Sequence, residues 1–395
     1  MQKEAQYFFD IVGAFVRGET APPPHEVDIA VLREVCRYTA MEGVCGYMLQ
    51  PHLSALPPQM AVGFERFFYQ TLGVFANRLA VCEQLHEQLL AANIPFAFVK
   101  GPVLSALYPV KELRTFGDLD VYVPPSHADA LKTFLEANAD AVLESDSMQI
   151  CIRRADVLVE FHFTLGKDVP YGYTALRVYL ETAPQHIVYD EGLGYYTLDR
   201  TFHTVYLLAH QMRHLATNSP GVRSYMDLAV LCKSGFLPSA ETLETVLRPL
   251  GILDYVKTAF SLIEMWWGIA SPFETMQIRK EDAAFMQQHL LKAGLFARQA
   301  HQNAALVAKK GRGYAFLRML FPCAKYMWHH KRYRALAVRC LPAAYVYRLL
   351  RIAICRTRRS AMVAKDIYGA GADADDRRRI YRITNLSGGK ANEKE

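Results

Sequence analysis

The chain has 395 residues, of which 51% are hydrophobic and 21% are charged. This length allows roughly two or three domains, and the composition is that of a globular protein, so a small disulfide-stapled fold and a largely disordered chain are both excluded. The eight cysteines are scattered without a C-x-x-C pair, which predicts free thiols in a reducing compartment. The first residues lack the layout of a secretory signal, and we therefore expect a cytoplasmic protein.

The net charge of +6 hides a strong asymmetry along the chain. Residues 283–365 contain 17 Lys and Arg and no Asp or Glu, so the rest of the chain has more acidic than basic residues. Such a concentrated positive field predicts a polyanion or an anionic surface as a partner. The most apolar part of this segment, residues 335–355, is interrupted by arginines and by Pro342, so we expect no transmembrane segment.

The first 93 residues show helical periodicity and predict a helical lead-in. A first helix ends before the Pro22–Pro23–Pro24 run, and longer helices are expected around residues 27–50 and 58–92.

Residues 94–192 have a different pattern, in which short apolar runs alternate with turn residues. They predict strands at residues 94–99, 119–123, 157–163 and 186–190, with one helix at 126–138. This segment is therefore expected to be an α+β core with a small sheet.

Helical periodicity returns over residues 193–300, where helices are expected at 201–216 and 224–235. Residues 301–360 are basic and aromatic and are expected to be helical. Residues 361–395 have the composition of a solvated, disordered tail.

Two carboxylates stand two residues apart in the segment Gly117–Asp118–Leu119–Asp120, at the start of a predicted strand. Alternate residues of a strand point to the same face, so Asp118 and Asp120 are expected to converge. At about 4 Å their repulsion is on the order of 4 kcal/mol at an effective dielectric constant of about 20. The pair therefore needs a proton or a cation, and Mg²⁺ is a natural partner because it prefers carboxylate and phosphate oxygens.

The predicted strand at 157–163 contains Glu160 and His162, which are again two residues apart. Pairing of the two strands would set Glu160 beside Asp120. Three carboxylates on adjacent strands can hold two metal ions about 3.5–4 Å apart for an in-line displacement. The sequence thus predicts Asp118, Asp120 and Glu160 as metal ligands and catalytic residues.

These residues, together with Lys100–Gly101, Tyr108–Pro109 and Arg114, resemble the uncharacterised nucleotidyltransferase family of the DNA polymerase beta superfamily. The resemblance covers roughly residues 30–235. It includes an asparagine in the helical lead-in, Asn77.

The resemblance implies an α+β fold with a small mixed-sheet nucleotidyltransferase-like core flanked by helical N- and C-terminal regions. It implies Mg²⁺ as cofactor, with two ions on the three carboxylates, and Gly101 in a turn at the phosphates of an NTP. Pro102 offers no N–H to a phosphate, so Lys100 and Arg114 are candidate side-chain ligands. His162 completes the candidate nucleotide-binding set.

Each candidate residue also has a structural interpretation. A D-x-D pair can be a solvated strand edge, Glu160 can be exposed, and His162 can be a structural hydrogen-bonding residue. Arg114 can form an ion pair that holds the aspartates, Lys100 can be an exposed strand end, and Gly101 can be only a turn residue.

Two further pairs with i,i+4 spacing lie on predicted helices. His210 and His214 have the spacing of zinc hydrolases, but Gln211 stands where those enzymes have a glutamate, so we interpret both as core or surface-helix histidines. Arg223 and Asp227 are interpreted as a helix ion pair, with a contact to nucleotide or acceptor as the alternative.

The basic residues of 309–360 are interleaved with aromatic residues. This pattern favours three interpretations: binding of nucleic acid, binding of an anionic membrane surface, or a helical hairpin with an aromatic core. The sequence as a whole predicts a Mg-dependent nucleotidyltransferase that uses an NTP and an unknown acceptor, which is RNA, protein or a small molecule. The alternative is a non-catalytic nucleotidyltransferase-like protein that binds RNA or an anionic membrane surface through this region.

Overall fold

The computed structural model describes residues 2–138, 141–170, 172–217, 221–293, 304–322, 324, 327, 334–355 and 371–386. The chain forms two compact units. The first contains Met1–Leu215, Ser219–Phe296 and Ser387–Glu395, and the second contains Ala216–Asn218 and Ala297–Leu386.

Four helices precede the sheet of the first unit. They are α1 (Gln2–Arg17), α2 (Ile29–Thr39), α3 (Glu42–Met48) and α4 (Pro58–Ala91). The single helix predicted over residues 27–50 is two helices, because Ala40 adopts a φ of 51° and turns the chain out of α2. The side chain of Asp28 caps the start of α2 by accepting hydrogen bonds from the N–H groups of Ala30 and Val31.

The first unit is built on a mixed sheet with the strand order β1-β2-β5-β4-β3. The strands are β1 (Ala97–Phe98), β2 (Asp118–Tyr122), β3 (Val142–Ser145), β4 (Gln149–Arg154) and β5 (Val157–His162). β2 and β5 are parallel neighbours, and their register pairs Asp120 with Glu160. The other pairs are antiparallel. The predicted α+β fold with a mixed sheet and helical flanks is confirmed.

The two faces of β2 and β5 have different chemistry. Their odd-numbered side chains, such as Val121 and Phe161, are buried in a core that also contains Leu85 of α4 and Leu131 of α6 (Ala128–Ala137). Because strand side chains alternate, the even-numbered acidic residues lie on the opposite face. The fold therefore buries one face of the sheet and leaves the other for polar groups.

The β4–β5 hairpin is anchored to the lead-in helices. Its two-residue turn, Ala155–Asp156, has positive φ at both positions, as a type I′ turn requires. Asn77 of α4 donates a hydrogen bond of 2.9 Å to the Ala155 carbonyl. The asparagine that is part of the family resemblance thus fixes the position of β5 relative to α4.

The remaining elements of the first unit follow the sheet or connect its strands. They are α5 (Gly101–Ala106), α7 (Thr174–Leu180), β6 (Ile187–Asp190), β7 (Tyr195–Leu198), α8 (Arg200–Thr217), α9 (Val222–Lys233), α10 (Ala240–Leu247), α11 (Leu253–Trp267) and α12 (Lys280–Ala293). The last two residues of α8, at positions 216 and 217, belong to the second unit. The helices predicted at 201–216 and 224–235 correspond to α8 and α9.

The second unit is described through four helices. They are α13 (Ala304–Leu320), α14 (Arg334–Arg339), α15 (Leu341–Cys355) and α16 (Gly371–Ile383). α16 lies in the segment predicted to be disordered, and the prediction fails there because the helix buries Ala374 and Ile380. Arg377 and Tyr381 of α16 also donate hydrogen bonds to the Ala216 carbonyl. The rest of 361–395 lies outside the described residues, apart from the residues directly after α16.

Among the residues that the structure describes, no helix combines the length and the apolarity that crossing a bilayer requires.

Candidate active site

A cleft of about 1220 Å³ opens in the first unit, over the even-numbered face of β2 and β5. Every candidate site residue named from the sequence lines this cleft: Lys100, Gly101, Arg114, Asp118, Asp120, Glu160 and His162. The fold therefore brings to one place residues that are up to 62 positions apart.

Asp120 is the most enclosed carboxylate of the cleft, with a side chain only 3% exposed. The Lys100 Nζ lies 2.6 Å from Asp120 Oδ1, and His162 Nε2 lies 2.7 Å from the same oxygen. Burial alone would raise the pKa of Asp120, but Lys100 and His162 hold it well below its usual range. Asp120 is therefore ionised at neutral pH.

The charge of Asp120 affects the pKa values of Asp118 and Glu160. Burial and the Asp120 carboxylate raise the pKa of Asp118, and Lys100 offsets part of this effect. Burial and the charges of Asp120 and Asp118 likewise raise the pKa of Glu160. The cations already present thus compensate only part of the repulsion, and an added cation at the three carboxylates would be electrostatically favourable.

The donor set of the cleft fits a divalent metal ion. Asp120, Glu160 and His162 bring one ligand atom each within 4.8 Å of one another, and Asp118 lies on the same cleft wall outside this tight group. Carboxylate oxygens are hard donors and suit Mg²⁺. Asp120 and Glu160 are therefore chemically suited to hold such an ion together, and Asp118 borders the same cleft.

The hydrogen bonds of His162 indicate a different role from that of the carboxylates. Its Nδ1 lies 3.0 Å from the Lys167 ammonium, which can only donate, so Nδ1 accepts. Nε2 then carries the ring proton and donates it to Asp120. In this arrangement His162 orients Asp120 and offers no lone pair to a cation. Lys167, which sequence reasoning missed, also donates to Gln149 Oε1.

Lys100 connects β1 to α5 through a turn with φ 55° and ψ −99°, a conformation that residues with a side chain rarely adopt. Its N–H donates to His203 Nε2 at 3.2 Å. His203 is fully buried, and burial lowers its pKa to about 3, so the ring is a neutral acceptor. This contact supports the turn that directs the Lys100 ammonium to Asp120. Sequence reasoning missed His203 because nothing local links it to Lys100.

Gly101 begins α5 and packs directly against Phe116. A Cβ atom at this position would lie 2.7 Å from the Phe116 Cγ, closer than atoms can approach without a shift. Glycine is therefore required here for close packing between α5 and the segment before β2, whatever else Gly101 does in the cleft.

Arg114 is held by a partner that the sequence did not indicate. Its Nε and Nη2 donate to the two carboxylate oxygens of Asp227 at 3.1 and 3.0 Å, and Tyr108 also donates to Asp227. Arg223 instead donates to the Thr115 carbonyl at 2.8 Å. The predicted helix ion pair between Arg223 and Asp227 is thus replaced, because packing gives Asp227 a bidentate guanidinium. The described contacts of Arg114 join it to α9 and not to the aspartates of β2.

The helices after the sheet add basic groups to the cleft wall. α8 contributes His210, Arg213 and His214, and α9 contributes Arg223. The Nε2 atoms of the two histidines lie 2.9 Å apart, so one ring donates to the other. Both histidines line the cleft and do not belong to the core. Arg213 and Arg223 make this wall of the cleft basic, whereas β2 and β5 contribute acidic residues.

The comparison with family models decides the family. Residues 25–268, well over half of the chain, match the model of an uncharacterised nucleotidyltransferase family. The chain belongs to this family. The predicted resemblance is confirmed, and the matched region extends beyond residue 235 to include α10 and α11. Comparisons with curated proteins and with solved structures give no match.

The matched region contains the whole sheet and all residues of the cleft described above. A nucleotidyltransferase-like role is therefore supported by the family match. The acidic cluster on β2 and β5 is compatible with metal binding.

Proposed function

We propose that this protein is a Mg²⁺-dependent nucleotidyltransferase that moves a nucleoside monophosphate from an NTP to an acceptor, which is RNA, a protein or a small molecule. One observation carries the proposal. Asp120 and Glu160 are paired across parallel strands in the cleft of a chain that belongs to a nucleotidyltransferase family, with Asp118 on the same strand face.

In the proposed site, Asp118, Asp120 and Glu160 hold Mg²⁺, with room in the donor set for two ions. When bound, the metal supplies charge neutralisation at the phosphates and lowers the barrier for an in-line displacement. Burial and the mutual repulsion of the carboxylates raise the pKa of both Asp118 and Glu160, and a cation between them would relieve the repulsion, which supports this assignment.

The nucleotide would be bound by residues at the same end of the cleft. Lys100, beside Asp120, is the proposed side-chain ligand for a phosphate, and Gly101 at the start of α5 allows close approach of the backbone. Arg114, held in a fixed orientation by Asp227, completes the phosphate contacts. His162 keeps Asp120 in place through its hydrogen bond.

The transfer step forms one bond and breaks one. The hydroxyl or phosphate oxygen of the acceptor attacks the α-phosphorus, and the bond from that phosphorus to the bridging oxygen breaks, so pyrophosphate leaves with the electron pair. The proton of a hydroxyl acceptor passes to Glu160. Glu160 suits this role because its side chain is 25% exposed and so more open to the cleft than that of Asp120, which is 3% exposed.

A cytoplasmic location fits the same proposal. The cysteines among the described side chains are free thiols, which is the state expected in a reducing compartment where NTPs are abundant.

The experiment is a transfer assay with α-³²P-labelled NTPs and Mg²⁺. The acceptors are the protein itself, RNA and a metabolite extract, and mass spectrometry identifies any adduct. The wild type is expected to transfer label, and the transfer rate of D118N/D120N is expected to be at least about 100-fold lower. The matched control is D129N, which alters a 97% exposed carboxylate on α6 and is expected to keep the wild-type rate.

Two results would overturn the catalytic proposal: no transfer to any acceptor, or transfer that survives in D118N/D120N. Thermal unfolding then separates the alternatives. An increase in Tm with Mg²⁺ and NTP in the wild type but not in D118N/D120N is expected from a functional pocket. An increase caused only by polyanions would support the non-catalytic alternative.

A further inference from the structure

The helix α15 of the second unit exposes an apolar face to solvent. Pro342, Val346 and Leu350 follow one another at i,i+4 spacing and therefore lie on one side of the helix. Val346 and Leu350 are each 55% exposed, and Tyr347 beside them is 46% exposed. A surface helix of a soluble domain normally turns its apolar side inward.

The inward side of α15 packs Leu341, Ala344 and Tyr345 into a small apolar cluster, and it also makes polar contacts. Arg348 donates hydrogen bonds to the Met319 and Leu320 carbonyls at the end of α13. Tyr345 donates to the Pro322 carbonyl at 2.6 Å. Arg348 thus satisfies carbonyls at the end of a neighbouring helix and does not lie among the exposed apolar residues.

Other helices of the same unit repeat this exposure. Leu317 of α13 is 56% exposed and Val338 of α14 is 69% exposed, and Phe316 and Leu336 are also exposed. Exposed cations stand next to them in the chain: Arg318 follows Leu317, and Arg339 follows Val338. Apolar side chains and cations are therefore presented to solvent together.

The charge of this unit restricts what can cover the apolar groups. Residues 297–386 contain 20 Lys and Arg against four Asp and no Glu. Two copies would repel each other through such surfaces. The exposed apolar side chains of this unit are aliphatic at positions 317, 336, 338, 346 and 350 and aromatic at positions 314, 316, 321 and 347. A bilayer surface accommodates both kinds, whereas the aliphatic ones have no ring face on which a nucleic acid base could stack.

We propose that α13, α14 and α15 form a docking surface for an anionic phospholipid membrane. The aliphatic and aromatic side chains enter the headgroup region of one leaflet, and the lysines and arginines contact the lipid phosphates. The surface holds the protein at the membrane without crossing it, in agreement with the described helices, none of which could span a bilayer. This proposal is independent of the catalytic one.

The test is co-sedimentation of the full-length protein with vesicles. One set contains phosphatidylcholine alone, and the other contains about 30 mol% of an anionic lipid, phosphatidylglycerol. The wild type is expected to bind the anionic vesicles and to bind them less at about 0.5 M salt than at about 0.1 M.

Variants locate the contact. V346E/L350E is expected to weaken binding by at least about tenfold, since it places two charges on the inserted face. The matched control is V62E/V178E, which makes the same change in net charge at helix positions of the first unit that are 55% and 62% exposed. This control is expected to bind as the wild type does. R318E/R339E tests the cations separately and is also expected to weaken binding.

Four results would overturn the proposal. The wild type could fail to bind anionic vesicles, or the control could lose as much binding as V346E/L350E. The wild type could bind RNA in a fluorescence anisotropy assay, and V346E/L350E could lose this RNA binding while its binding to vesicles stays unchanged. Analytical ultracentrifugation could show a dimer that V346E/L350E dissociates, which would assign the face to a second copy of the chain.

Discussion

Lys100 and Asp120 form a buried ion pair, in which Nζ lies 2.6 Å from Oδ1 and the two side chains are 14% and 3% exposed. Burial favours the neutral amine, but Asp120 together with Tyr206 and Asp118 raises the pKa of Lys100. The ammonium is thus a resident cation beside three carboxylates. It makes the acidic cluster tolerable in the folded chain before any ligand arrives.

Replacement of Lys100 by methionine removes this charge and leaves Asp120 facing two other acidic groups. We expect K100M to lower the free energy of unfolding by about 3 kcal/mol, as is typical when one partner of a buried pair is lost. Urea denaturation measures the change. K132M, which breaks an exposed pair with Asp129, is the control and should cost less than about 0.5 kcal/mol. Equal losses in the two variants would show that Lys100 does not stabilise the cluster.

His203 predicts a specific pH dependence of stability. Its pKa is lowered by burial to about 3 in the folded protein, against about 6.5 in the unfolded chain. As the pH falls below about 6.5, the unfolded chain takes up the proton first, so the folded state loses about 1.4 kcal/mol per pH unit from this group, until the pH approaches the folded value. H203Q keeps an acceptor for the Lys100 N–H and removes the titration.

Urea denaturation of the wild type and of H203Q between about pH 4 and pH 7 checks this prediction. The wild type should lose stability relative to H203Q as the pH falls. A difference between the two proteins that stays constant over this range would contradict the assignment of a neutral, buried His203.

Gly101 and Gly117 provide a matched pair of glycines in the same cleft. In G101A the new methyl group meets Phe116 at 2.7 Å, so we expect a loss of about 1–3 kcal/mol from overpacking. In G117A the new methyl group meets no atom within 4 Å, and little change in stability is expected. Thermal and urea unfolding measure both. Recovery of stability in G101A/F116L would assign the loss to this contact, and a G101A protein as stable as G117A would refute it.

Arg114 and Asp227 tie the segment before β2 to α9. A double-mutant cycle with R114M and D227N should give a coupling energy of about 2–3 kcal/mol, because the pair is bidentate and largely buried. R114K should recover only part of it, since an ammonium cannot form the two parallel bonds. The exposed Arg248–Glu244 pair is the control, with an expected coupling of about 0.3 kcal/mol. Similar couplings in the two cycles would contradict this role for Arg114.

The local parts of the architecture could be predicted from the sequence. The alternation of apolar and acidic residues around Asp118, Asp120 and Glu160 is a property of single strands, and it indicates both the strands and their polar face. The structure pairs Asp120 with Glu160 in the parallel register of β2 and β5. This adjacency required that the two strands be neighbours in this parallel register, which the sequence of either strand alone does not specify.

The partners of the site could not be predicted, because they depend on packing between distant segments. Asp227 is 113 residues from Arg114, and His203 is 103 residues from Lys100. The i,i+4 spacing predicted an ion pair between Arg223 and Asp227. Asp227 instead accepts two hydrogen bonds from Arg114, which is distant in the sequence. The helix at 371–383 was missed for a related reason, since its charged composition conceals the few apolar residues that it buries.

The most direct measurement is anomalous diffraction from crystals grown with Mn²⁺ and a non-hydrolysable NTP analogue. We expect at least one Mn²⁺ peak in the cleft, at about 2.1 Å from oxygens of Asp120 and Glu160 and bridged to the triphosphate, with Asp118 on the same ion or on a second one. A nucleotide bound without any manganese at these carboxylates, or manganese held only elsewhere in the protein, would contradict the proposed metal-dependent transfer.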